Sequence, residues 1–374
     1  MLREMGIDLW MIVCSEASDV HSPYLLGVTC YSRHAIIIPS TGKSSVIIHQ
    51  MEGPMVERQG TVDEVVTYRS TREFVDKLKE VVLSISEKPK IALNFVENLY
   101  EEGGDPINTI TYGDVLALQK LFPGATFVSA KEILEKLTLT KSAEEIRLHE
   151  KAIEITLKAM KAAIEFIKSG VSECEVAAEA EYVMRKEGAG TAFSTIVASG
   201  PNSADPHHET SERKIGRDDV VILDMGAKYK LMAADITWTV FVGKNPPKDL
   251  EKIYRIVLDA KREATNALRP GIKGWEVDKA ARDVIYGNGF SDEHFSHGTG
   301  HPLGLVVHGL GPALTKKEWS KRAELELVPT MIVTIEPGIY IRGKYGVRLE
   351  DDVLITEDGR RILSKTPDSL LTIT

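Results

Sequence analysis

The chain is poor in cysteine: Cys14, Cys30 and Cys174 are few, far apart and odd in number among 374 residues. A disulfide framework is thereby excluded as the basis of the fold, and a reducing, cytoplasmic setting is expected. No run of about 20 apolar residues occurs, so no membrane span is expected. A basic excess is missing too: 46 Lys and Arg stand against 55 Asp and Glu, a formal net charge of -9. Phosphate binding wants a basic face, so nucleic acid is not an expected partner. There is no glycine-rich phosphate loop, and Gly103-Gly104-Asp105-Pro106 reads as a turn. The opening MLREMGIDLWMIVC has a short apolar run, but Asp8 interrupts it and no small-residue cleavage site follows. A buried strand is the expected state of that run, not a leader.

What is present suffices for a core without staples: 43% hydrophobic and 27% charged residues are ordinary for a globular enzyme. The length suggests two domains. Residues 1–137 alternate strand-like and helical patterns: strands at Leu9–Cys14, Ala35–Pro39, Ser45–His49 and Lys90–Phe95, helices at Arg72–Glu87 and Asp114–Leu121. This is the pattern of an α/β domain with a mixed or parallel sheet. A boundary is expected within Leu137–Ser142, so the second domain covers 138–374. Ser142 with Glu144 and Glu145 starts a helix that Gly170 stops, and Glu173–Glu187 forms another. Strands follow at Phe193–Ser199, Val220–Asp224 and Asp235–Val242, then helices at Pro247–Ala267 and Gly274–Asn288, then strands at Met331–Ile335 and Val347–Thr356. Helices followed by a carboxylate-bearing hairpin thus occur twice, which hints at an internal duplication.

The chemistry lies in those hairpins. Val220-Val221-Ile222-Leu223 runs straight into Asp224, and an isolated charge ending a buried strand is costly. Taken alone, Asp224 reads equally as a turn cap. Asp235 opens the next strand, and a hairpin would bring the two carboxylates face to face, where they repel unless a cation lies between them. Glu336 ends the strand before Pro337-Gly338, and Glu350 lies in the returning strand beside Arg348, with which a simple ion pair is the alternative. His297, His301 and His308 stand at spacings of four and seven in a Gly-rich stretch whose glycines permit close backbone approach. Four carboxylates and an imidazole make a hard site suited to Mn(II), Co(II), Fe(II) or Zn(II). Two such ions roughly 3.5 Å apart, sharing a hydroxide, are a known hydrolytic device.

On these residues the sequence resembles the metallopeptidases of the pita-bread fold, namely prolidase, aminopeptidase P and methionine aminopeptidase. The resemblance rests on DMGAKYKLMAADITWT (224–239), HGTGHPLGLVVH (297–308), TIEPGIY (334–340), GVRLED (346–351) and TIVASGPNSADPHH (195–208). It implies a two-domain α/β chain: an N-terminal creatinase-like α/β domain before a pita-bread α+β catalytic domain. It also implies hydrolysis of Xaa-Pro bonds in short proline-containing peptides. Asp224, Asp235, His301, Glu336 and Glu350 would hold two divalent ions, Mn(II) or Co(II) foremost, and Glu336 would be general base and proton shuttle. His207 would hold substrate or oxyanion, His308 would contact the scissile region, and His297 would line the proline pocket. Arg348 would orient the carboxylates. The N-terminal domain would serve assembly of a homodimer and shielding of the active site.

Several positions depart from the family pattern. Thr237-Trp238-Thr239 stands where Thr-Arg-Thr is usual, and Leu231 and Met232 where an aromatic or Gly-Tyr pair often precedes the second Asp. Pro302 replaces a common Gly, and Asp205 an apolar residue. Gly309-Leu310-Gly311-Pro312-Ala313 replaces a Glu and a later Pro-Arg pair whose arginine grips a dipeptide's carboxylate, so strict dipeptidase action is not implied. Lys316 or Lys317 could substitute, or be solvated loop charges. A metal-independent, creatinase-like hydrolase and a non-catalytic module of the same fold are the alternatives. Both imply eroded ligands, whereas all five stand here. Methionine aminopeptidase normally lacks an N-terminal domain of this size.

Overall fold

The structure, a computed structural model, describes residues 1–98 and 107–374; the turn expected at Gly103-Gly104-Asp105-Pro106 lies outside the described residues. It divides into two compact units, Met1–Thr138 and Leu139–Thr374.

The first unit runs β1 (Leu9–Cys14), α1 (Ser22–Leu26), β2 (His34–Pro39), β3 (Ser45–His49), α2 (Gly53–Glu57), β4 (Glu64–Tyr68), α3 (Thr71–Ile85), β5 (Lys90–Leu93), α4 (Tyr112–Leu121), β6 (Thr126–Ser129) and α5 (Lys131–Thr138). Its six strands form one mixed sheet in the order β4-β3-β2-β1-β5-β6. All six residues of β1 are buried, which explains the apolar run near the start of the chain. Phe74, Leu78 and Val82 of α3 pack with Met11, Ile37 and Ile47 of the sheet. The spacing of the three helical residues is the amphipathic period. The strands β4 and β6 escaped the sequence reading because both are edge strands, only partly buried, whose polar residues mask the alternation.

The second unit runs α6 (Ala143–Phe166), α7 (Glu173–Lys186), β7 (Gly190–Thr191), β8 (Ile196–Ser199), β9 (Val220–Met225), β10 (Ala227–Tyr229), β11 (Met232–Ala233) and β12 (Ile236–Val242). It continues with α8 (Lys248–Ala267), α9 (Gly274–Gly287), β13 (Pro302–Leu303), β14 (Ile332–Ile335), β15 (Gly338–Ile341), β16 (Tyr345–Arg348), β17 (Asp351–Thr356), β18 (Gly359–Ile362) and β19 (Leu371–Ile373). Each half therefore follows a helix pair with a four-stranded sheet, β19-β12-β9-β8 in the first and β13-β14-β17-β18 in the second. Helices α6 and α7 both begin with capping boxes, Ser142 with Glu145 and Ser172 with Glu175.

Strand alternation decides which side chains reach the site. On β9, Val221, Leu223 and Met225 join the core under α6 and α7, as do Ile236, Trp238 and Val240 of β12. The intervening residues Asp224, Thr237 and Thr239 therefore face the other way. Each fully buried aliphatic side chain contributes roughly 1.5–3 kcal/mol relative to exposure. A one-residue slip would replace several of them with carboxylates, so the register is fixed. Trp238 consequently lies on the helix side, and the departure from Thr-Arg-Thr leaves the site face unchanged.

The single strand expected over Val347–Thr356 is two strands, β16 and β17, in different sheets. Leu349 and Glu350 form the break, and the glutamate turns its backbone to β12. Close approach also fixes the chain at Gly226, where a Cβ would stand 1.8 Å from Ala234 O, whereas at Gly190 on neighbouring β7 nothing lies within 4 Å. Gly226→Ala should thus cost about 3 kcal/mol or more by overpacking, and Gly190→Ala less than about 0.5 kcal/mol. Urea denaturation of the two variants against wild type checks this, and equal midpoints would refute it.

Candidate active site

The carboxylates sit where strands end. Asp224 is the penultimate residue of β9 and faces Thr237 in the antiparallel register with β12; Asp235 immediately precedes β12. They are not the two sides of a simple hairpin, because β10 and β11 fold out between them. Glu336 follows β14, and its N–H donates to Thr299 O at 2.8 Å. Glu350 donates its N–H to Thr237 O at 3.0 Å and accepts the Thr237 hydroxyl at 2.7 Å. His301 is held against β14 by its N–H to Thr334 Oγ1 at 3.1 Å and by Thr334 N–H to its carbonyl at 2.9 Å. Gly300 makes that approach possible, since a Cβ there would lie 2.0 Å from Thr334 O.

These elements bring all five expected ligands together. His301 Nε2 lies 3.4 Å from Glu336 Oε1 and 3.6 Å from Asp235 Oδ2. Asp235, His301 and Glu350 offer ligand atoms all within 4.8 Å of one another. Asp224 joins through electrostatics: its charge raises the carboxyls of Asp235, Glu336 and Glu350. Burial is the largest cause of each of these shifts, followed for Asp235 by the charge of Glu350 and for Glu350 by that of Glu336. Asp235 and Glu350 are driven far above the ordinary carboxylate range, and Glu336 to about 8 even with Arg348 opposing. Burial first, then His308, lowers His301 to about 3, which keeps its ring neutral and able to ligate.

The residues fit divalent cations on a further observation. Asp224 Oδ1 and Glu350 Oε1 are buried without any hydrogen-bond partner. Buried carboxylate oxygens are normally satisfied, so these are acceptors lacking a donor. An oxygen-rich set with one imidazole suits hard or borderline divalent ions.

Arg348 organises the rim. It is 3% exposed, and its guanidinium donates to Asp224 Oδ2 at 2.6 Å, Tyr340 Oη at 2.8 Å, Pro206 O at 3.1 Å and Thr237 Oγ1 at 3.3 Å. Its partner is therefore Asp224, not the glutamate beside it in sequence. Tyr340 Oη lies 2.8 Å from His297 Nε2, while His297 Nδ1 lies 2.8 Å from Gly298 O. A carbonyl only accepts, so Nδ1 carries the proton, Nε2 accepts from the tyrosine, and the tyrosine accepts from Arg348. Burial and then Arg348 hold His297 down at about 3, a neutral ring. His308 packs edge-on against His301, with ring centroids 4.4 Å apart. His207 is exposed, and its charge still reaches His297.

Sequence reasoning missed several contributors. Tyr340 was within the TIEPGIY motif, yet a tyrosine on an apolar strand carries no mark of its hydroxyl's partners. Asp352 is fully buried and accepts Asp235 N–H at 3.2 Å; the Asp351-Asp352 doublet after Glu350 was its visible signal. Arg322 lies between two of the motifs and within neither, but donates to Gly309 O and Gly311 O at 2.7 Å, and its charge acts on His301. Lys316 pairs with Asp292 and lies over the Tyr286 and Trp319 rings, while Lys317 pairs with Glu324. Both lysines are absorbed locally.

The model of metallopeptidase family M24 matches residues 147–357. The chain is 43% identical over 265 residues to the uncharacterized peptidase YqhT of Bacillus subtilis, covering 71% of this chain and 73% of that one. It is 39% identical over 318 residues to a Xaa-Pro dipeptidase of Pyrococcus furiosus, covering 83% and 87%. The crystal structure of an X-Pro aminopeptidase from Thermotoga maritima superposes with a TM-score of 0.86 at 34% identity over 99% of both chains. The two-unit architecture with its pita-bread second unit is thus that of these peptidases. A strand-end cluster of buried carboxylates and one neutral imidazole, in a chain matched over its whole catalytic unit, makes the protein a peptidase belonging to metallopeptidase family M24.

Proposed function

We propose that the enzyme hydrolyses the peptide bond preceding proline in short peptides, using two divalent cations held by Asp224, Asp235, His301, Glu336 and Glu350. The observation that carries this reading is the convergence of four carboxylates and a neutral imidazole around buried oxygens that lack partners. Mn(II) and Co(II) suit the donor set best, with Fe(II) and Zn(II) also compatible. When bound, the cations supply Lewis acidity toward the scissile carbonyl and toward water. Substrates named for the relatives, Xaa-Pro dipeptides and X-Pro peptides, support the proline preference.

The chain's own groups divide the remaining work. Glu336 takes the proton from the attacking water and returns it to the departing prolyl nitrogen. A carboxylate within hydrogen-bond reach of the attacking water is suited to hold that proton in transit. His297 offers the proline ring an uncharged imidazole locked by Tyr340 and Gly298. His308 and the exposed His207 contact the scissile region and the carbonyl oxygen of the substrate. Arg348 keeps Asp224 aimed. Arg322, reaching the 309–311 loop from the 3-10 turn Lys321–Glu324, supplies in space the cation that this loop lacks in sequence.

Glu336→Gln should keep the fold and lower kcat by several orders of magnitude, since it removes a ligand and the base. Steady-state kinetics with a matched circular dichroism spectrum check it, and near-normal turnover would overturn the mechanism. Chelation should abolish hydrolysis and Mn(II) or Co(II) restore it; a chelator-insensitive hydrolase would instead be of the creatinase-like kind. A Xaa-Pro dipeptide assayed beside a Xaa-Pro-Xaa tripeptide tests the chain length. If Arg322 grips a free carboxylate, the dipeptide is preferred, and Arg322→Met raises its KM about tenfold. Tripeptide preference with a silent Arg322→Met would select the aminopeptidase form.

A further inference from the structure

We infer that Arg282, acting with Asp278 one turn earlier on α9, is a positioning residue that sets where His297 and His301 stand in the site. The inference rests on the metal and pocket roles proposed above. The segment leading to His301 is tied at its end by Thr299 and Gly300 to Leu314, by Thr299 O to the Glu336 N–H and by His301 to Thr334. Upstream of these bonds, the carbonyls of Phe295 and His297 are held by one buried ion pair. Arg282 and Asp278 are 3% and 1% exposed, with Nε 2.7 Å from Asp278 Oδ2. The guanidinium then donates to Phe295 O at 3.0 Å and to His297 O at 2.6 Å. Asp278 Oδ1 accepts Thr299 N–H at 3.2 Å and the Thr299 hydroxyl at 2.8 Å. Residues 295, 297 and 299 are therefore each held by this pair.

This arrangement points outward from the helix. Apart from its bond to Asp278, every carbonyl the guanidinium reaches belongs to the His297 segment, and Nη1 also meets Asp292 at 3.1 Å. An ion pair serving α9 alone would need none of these. The guanidinium carbon lies 4.3 Å from the Phe295 ring centre and 4.7 Å from that of Trp319. Planar stacking with in-plane forked donation is a property of arginine that lysine does not share. Arg282→Lys keeps the charge and loses the fork. It is therefore expected to let the histidine segment drift while α9 remains paired. Groups that orient metal ligands from behind typically change metal affinity or activity by about 10–100-fold when altered.

The test uses Arg282→Lys and Thr299→Val, the second removing only a hydroxyl at nearly constant volume. Each is compared with wild type by circular dichroism melting, by calorimetric titration of the metal-free protein with Mn(II), and by kcat and KM for a Xaa-Pro dipeptide. The expected result is a folded protein whose Mn(II) affinity falls about tenfold and whose KM rises by a similar factor, with kcat reduced less. Should Arg282→Lys not fold, Thr299→Val alone decides. Folded variants with wild-type Mn(II) affinity and KM would overturn the inference, whatever their kcat. A wild type that binds Mn(II) but leaves Xaa-Pro peptides intact would sink the substrate reading, and the Mn(II) comparison would still judge this one.

Discussion

Asp224, Asp235, Glu336 and Glu350 occupy one low-dielectric space, and much of the second unit is arranged around that fact. Two like charges 4 Å apart repel by about 4 kcal/mol at an effective dielectric constant near 20. Arg348 brings one positive charge against four negative ones and spends it on Asp224. The remainder is balanced either by protons, which is the direction in which Asp235, Glu336 and Glu350 are shifted, or by cations. Asp224 Oδ1 and Glu350 Oε1 have no hydrogen-bond partner, and cations held there would satisfy both.

Holding such a cluster takes rigid supports. Each of the five residues sits at or beside a strand end or in a strand break, and Thr237, Thr239 and Thr334 supply hydroxyls where aliphatic residues would otherwise stand. Behind Glu350, Asp351 is bonded to Lys261 of α8 and to Thr366, so the acidic doublet that follows the ligand is itself anchored. The opposite faces of the same strands are apolar: those of β9 and β12 carry α6 and α7, and those of β14 and β17 carry α8 and α9. One strand thus does two jobs without conflict, because its two faces are independent.

Where the sequence speaks in periods, it was legible. The α6 and α7 helices, β9 and β12 follow from apolar spacing and capping residues, and the clustering of the carboxylates from charges at the ends of buried runs. What could not be read was anything set by partners distant in the chain. Arg348 pairs with Asp224, 124 positions away, when adjacency suggested Glu350. Arg322 returns to a loop whose own residues lack a cation. The split of 347–356 into two strands was invisible because both pieces are equally β-prone, and only the pull of β12 on Glu350 separates them. Trp238 looked like a change in the site and is a change in the core, which alternation alone could have told.

The five residues proposed as ligands also divide between the two repeated halves of the second unit. Asp224 and Asp235 belong to the first, and His301, Glu336 and Glu350 to the second, with Glu350 sewn to β12 by its N–H and its carboxylate. A cation bound by both sets recognises only the docked arrangement, so its binding free energy is linked to folding. At a free concentration a hundred times its Kd, such an ion adds about 2.7 kcal/mol to stability. The metal is in this sense a clasp as much as a reagent: loading it and closing the two halves upon each other are one equilibrium, and a cell short of the ion would hold a looser protein as well as an idle one.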